Sequence, residues 1–93
     1  MIYLFSYELG AGLFRNMDNL IAELRGFPAW CQCLDRTWLI ATHDDINIVS
    51  DRIGRHFRDT DYWLIVRITR EYQGWLPNEI WEWLQDSIGR IGT

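Results

Sequence analysis

The chain has 93 residues, 48% apolar and 24% charged, which describes one ordinary globular domain over residues 1–93 and leaves no room for a second. A domain of this size buries only roughly 60–68% of its unfolded surface, so burial against a partner is an available source of stability. The net charge of −4 disfavours charge-driven binding to nucleic acid or an anionic membrane, and all nine basic residues are Arg, whose planar fork suits carboxylate or phosphate.

Ile2 to Leu9 is apolar or aromatic at nearly every position and ends at Gly10-Ala11-Gly12, which predicts a strand and then a loop. From Arg15 to Phe27, Met17, Leu20, Ile21 and Leu24 recur at steps of three and four, and Gly26 with Pro28 supplies a stop, so a helix is expected. Ala29 to Leu34 and Thr37 to Thr42 are short runs of strand formers joined by Asp35-Arg36, the length of a tight hairpin. Asp44 to Arg58 carries Ile46, Val49, Ile53 and Phe57 on one stripe, behind Thr42 and Asp side chains that can accept from free helix amides. Tyr62 to Thr69 reads as a fourth strand. A C-terminal helix is expected over about 77–91, with Pro77 tolerated in its first turn and Ile80, Trp81, Trp83, Leu84, Ile88 and Ile91 on one face.

The order strand, helix, strand, strand, helix, strand is that of the split βαβ, or ferredoxin-like, arrangement: an α+β fold with one four-stranded antiparallel sheet, two helices on one face, and here an additional C-terminal helix. Both faces of the sheet are apolar. Tyr3, Phe5 and Tyr7 point opposite to Ile2 and Leu4, and Trp63 and Ile65 opposite to Leu64 and Val66. Two crossover helices cover one face, so the other must meet the C-terminal helix, a second copy, or stacked bases.

No apolar run approaches the roughly 20 residues of a membrane helix, and no signal peptide is visible, so a cytoplasmic protein without membrane contact is expected. Cys31 and Cys33, two apart on a strand, are expected to be free, buried thiols. His43-Asp44-Asp45 has the residue types of a metal pair but sits where a helix cap is needed. Arg52, Arg55 and Arg58, spaced by three, with Arg67 and Arg70 ending the fourth strand, form a candidate nucleic-acid contact, opposed by nearby Asp51, Asp59 and Asp61. Glu8 closes the first strand beside a Gly-flanked loop, where a carboxylate is accessible to metal or substrate. One carboxylate is a poor magnesium site, but a two-fold axis near this strand end would bring two together.

Two stretches carry a family resemblance. Trp30-Cys31-Gln32-Cys33-Leu34-Asp35-Arg36-Thr37-Trp38-Leu39-Ile40-Ala41-Thr42 resembles the hairpin of small bacterial and phage proteins labelled SinR-like. Tyr62 to Trp83, with Gly74-Trp75-Leu76-Pro77 and Trp81-Glu82-Trp83-Leu84, is similar to their C-terminal half. That group is similar in organisation to the small CRISPR-adaptation subunit and, more distantly, to VapD-type toxins. The resemblance implies a ferredoxin-like fold and dimerisation through the sheets. It also implies that Glu8 matches an Asp proposed to ligate a divalent metal in nuclease-active members.

Three functions are therefore expected in order. The first is a homodimeric, non-catalytic module binding nucleic acid or protein, in defence, toxin-antitoxin or phage biology, with Tyr3, Phe5, Tyr7, Trp30, Trp63 and Ile65 at the dimer interface. The second is an endonuclease on RNA or DNA, in which Glu8 from both copies is catalytic and holds Mg2+ or Mn2+. The third is single-stranded RNA binding on the sheet face, with Tyr3 and Phe5 stacking bases.

Overall fold

A computed structural model describes residues 1–10 and 15–91, with side chains described through Ile88. Its elements are β1 (Ile2–Glu8), α1 (Asp18–Arg25), β2 (Ala29–Leu34), β3 (Thr37–Ala41), α2 (Ile46–Gly54), β4 (Tyr62–Ile68) and α3 (Asn78–Ile91). The four strands form one antiparallel sheet in the order β2-β3-β1-β4, the order of a ferredoxin-like arrangement. Every strand and helix expected from the sequence is present. Ala11 and Gly12 of the Gly10-Ala11-Gly12 loop lie outside the described residues.

The helices are shorter than their periodic stripes, for local reasons. The segment before α1 is engaged elsewhere: the Arg15 guanidinium bonds to the Asp61 carboxylate, and the Asn16 side chain accepts from the Asp18 amide at 2.7 Å. In front of α2, the Asp45 carboxylate accepts from the amides of Asn47 at 2.9 Å and Ile48 at 3.1 Å, so this acid is a helix cap. At its other end α2 stops at Gly54, where a Cβ would lie 3.0 Å from the Trp63 ring.

One face of the sheet carries Tyr3, Phe5, Trp38, Ile40 and Ile65, packed under Leu20 and Leu24 of α1 and Val49 and Ile53 of α2. Phe57, Tyr7 and Trp63 extend this core as stacked and tilted rings 5.5–5.9 Å apart. Arg52 ties α1 to α2: it meets Glu23 at 3.0 Å and Asp44 at 3.4 Å, and its guanidinium lies 3.9 Å from the centre of the Phe27 ring.

The opposite face carries Ile2, Leu39 and Ala41 beneath Ile80 and Leu84 of α3. The C-terminal helix thus covers its own sheet. No helix among the described residues is long and apolar enough to cross a membrane.

Candidate functional site

The register of the strands decides which side chains remain available. Leu34 of β2 pairs with Thr37 of β3, Thr37 with Ser6 of β1, and Ser6 with Leu64 of β4, so these four form one row across the sheet. A bulge between Gln32 and Leu34 sets Leu34 beside Thr37. The next pair outward is Glu8 with Tyr62, and the next inward is Leu4 with Val66. All project from the face that α3 occupies.

α3 does not cover that whole face. Its cluster takes in Ile2 and Leu4 of β1, Ala29 and Cys31 of β2, Leu39 and Ala41 of β3 and Ile68 of β4, which is one end of all four strands. α3 lies over the rows through Ile2 and Leu39. Leu34 is left 57% exposed, Tyr62 73%, Leu64 60% and Val66 40%. Ser6 and Thr37 share a hydrogen bond of 3.1 Å between their hydroxyls, the polar centre of an otherwise apolar strip.

Glu8 and Arg36 line the same shallow depression at this open end, together with Ser6, Tyr62 and Leu64. Neither charge is in an ion pair among the described residues. Beneath them, Asp61 fixes the local backbone. Its carboxylate accepts from the Gly10 amide at 2.8 Å and the Arg58 amide at 2.7 Å and bonds to the Arg15 guanidinium. Those two backbone donors and the cation hold its pKa down to about 2, against the pull of burial. A Cβ at position 10 would stand 2.5 Å from the Thr60 carbonyl oxygen, so glycine is required where the chain leaves β1 against the turn before β4.

The residues expected at a dimer interface are placed elsewhere. Tyr3, Phe5 and Ile65 are buried beneath α1 and α2, Tyr7 and Trp63 pack partly against the same core, and Trp30, on the same face, lies 5.7 Å from the ring of Trp38. Of these, Tyr3, Phe5 and Ile65 have almost no exposed surface, Trp30 is 38% exposed, and the larger exposed apolar side chains of the sheet, Leu64 and Tyr62, lie on the other face. For the same reason Tyr3 and Phe5 have no ring surface to offer a base.

The arginines do not form a free row. Arg52 and Arg55 turn toward Glu23 of α1, at 3.0 and 3.9 Å, and His56 reaches the same carboxylate at 3.3 Å. Burial works to raise the pKa of Glu23, but the bonds from His56 and Arg52 outweigh it and hold the carboxyl below its usual range. The neutralising acid is therefore Glu23, not the neighbouring aspartates. Arg58, Arg67 and Arg70 are exposed, with Arg67 in register with Tyr3 on the helix-covered side.

Cys31 and Cys33 are free and half-buried beneath α3; burial pushes both thiols up, and Cys33 donates to the Thr37 carbonyl at 3.4 Å. His43 is exposed, and Asp44 is engaged by Arg52. No group of three or more His, Cys, Asp or Glu that could hold a metal comes together among the described residues.

Trp75, which with Trp30 and Trp63 the sequence leaves available for an interface, is 98% exposed, while Tyr62, Leu34 and Arg36 were not expected as members of one surface. The signal for Tyr62 and Leu34 was the strand register, which periodicity does not supply. No family model, curated protein or solved structure matches the chain, so its fold assignment rests on topology itself.

Proposed function

We propose that this protein is a non-catalytic interaction module whose binding event is protein association, with a second copy of itself as the first partner. The observation that carries this reading is the open half of the sheet, where Leu34, Tyr62, Leu64 and Val66 stand exposed together. Such a strip, rimmed by single opposite charges, has the apolar centre and polar edge of a protein interface. The resemblance of the hairpin and C-terminal motifs to small CRISPR-adaptation-like proteins supports a dimeric state and a setting in defence, toxin-antitoxin or phage biology.

Two observations weigh against the alternatives. A divalent cation needs several oxygen ligands, and Glu8 offers one carboxylate beside the Arg36 guanidinium, whose charge repels a metal from the same depression. Nucleic-acid binding through Arg52 and Arg55 would have to compete with Glu23, which engages both, in a chain of net charge −4, leaving Arg58, Arg67 and Arg70 as the exposed arginines of the expected set.

Sedimentation equilibrium of the wild type over a wide concentration range tests this reading. A reversible dimer is expected, and a monomer at roughly 100 µM would refute it. In parallel, labelled RNA and DNA incubated with magnesium or manganese should stay intact, and cleavage abolished by Glu8→Ala would establish the nuclease instead.

A further inference from the structure

The covered and open halves of the second face together make a step. On one side α3 and the segment before it stand a full layer above the sheet: Tyr72, Leu76 and Trp81 pack onto the core formed by Ile2, Leu39 and Ala41. On the other side the strands lie bare. Trp75, in the segment before α3, is 98% exposed. A pocket of about 180 Å³ at the foot of the step is lined by Leu34 of the open row and by Trp75, Leu4, Leu39, Tyr72 and Trp81 of the raised side, so the two parts form one continuous apolar surface.

A step of this kind is self-complementary. A two-fold axis running along its edge, half a layer above the sheet, places the raised half of each copy over the bare half of the other. Both α3 helices then share one layer of about 10 Å between two sheets, the ordinary spacing of packed layers. The areas agree with such a contact. Trp75 and Tyr62 each present roughly 150–250 Å² of ring surface, and with Leu34, Leu64 and Val66 the strip is on the order of 600 Å². That is most of the roughly 800 Å² that each partner contributes to a stable interface. In this arrangement Glu8 and Arg36, in the same depression of the open end, face the raised segment of the partner.

We infer that the occupant of the open half-sheet is the raised segment of a second copy, with Trp75 of each chain seated on the Leu34, Leu64 and Tyr62 strip of its partner. This rests on the homodimer reading above and goes beyond it by naming the contact. It assigns Trp75 the role of anchor. A large rigid aromatic on a bare apolar strip is the type of side chain that dominates an interface.

The test compares the wild type with Trp75→Ala and Leu64→Arg by sedimentation equilibrium, with circular dichroism melts to verify folding. Both side chains are exposed within the monomer, so the fold should persist while each variant weakens the dimer at least tenfold. A second arm needs no variant: in the wild type, Trp75 and Tyr62 should become protected from hydroxyl radicals together as concentration rises. That arm decides the matter if either of the first variants fails to fold. A wild type that is monomeric throughout overturns this inference and the homodimer reading together. A wild-type dimer that Trp75→Ala and Leu64→Arg leave equally tight, or one in which Trp75 stays reactive, overturns this inference alone.

Discussion

The two faces of the sheet are made of similar residues and end in different states. Beneath α1 and α2, Tyr3, Phe5, Trp38 and Ile40 are fully enclosed. Beneath α3, Ile2, Leu39 and Ala41 are equally enclosed, while Leu64 and Tyr62 on the same face are bare. Apolar patterning therefore sets how much surface asks to be buried, and the number of helices sets how much is buried within one chain. The remainder is the part available for function.

The comparison breaks most visibly where it is best supported. Phe5→Ala, in the closed face, should lower the unfolding free energy by about 3–5 kcal/mol in chemical denaturation, through lost transfer and the cavity left behind. Leu84→Ala removes a buried anchor of α3 and should cost about 2–4 kcal/mol. It should also raise the binding of a hydrophobic dye as more of the second face opens. Asp45→Ala deletes the α2 cap and should cost about 1 kcal/mol. Leu64→Ala, measured on the monomer at low concentration, should change stability by less than about 0.5 kcal/mol, because that side chain is already in water. A large effect at Leu64 in the monomer would mean that the second face is closed within the chain.

Acid titration sharpens the account of the strand end beside the open half. Asp61 has its pKa depressed to about 2 in the folded chain, from an ordinary 3.8. A depressed carboxyl stabilises the fold above its unfolded pKa and ceases to do so as pH falls through the folded value. Stability should therefore decline between about pH 4 and pH 2, with Glu23 contributing in the same direction. In Asp61→Asn the part of this decline due to Asp61 should vanish, as read from denaturation midpoints at several pH values.

Much of the fold was legible because each element carries local signals. Asp35-Arg36 between two strand-forming runs announced the hairpin, and Asp45 before the Ile46, Val49, Ile53 stripe announced α2 and its cap. The helix ends were less legible because their causes are distant in sequence: Arg15 is engaged by Asp61, and Gly54 lies against Trp63. The candidate surface was the least legible part. Tyr3 and Leu64 are both large apolar residues on alternating strands, and nothing local says which face two helices will cover. Trp75 was legible as a tryptophan outside the core, but the surface beside which it stands was not.

The most direct test of the central claim is hydroxyl-radical footprinting of the wild type across a dilution series, reading Trp75 and Tyr62 against Trp30 on the helix-covered side. The account predicts that Trp75 and Tyr62 become protected together as concentration rises, while Trp30 reacts at a constant rate. Protection of Trp30 with Trp75 and Tyr62 unchanged would contradict it and move the interface to the other face of the sheet.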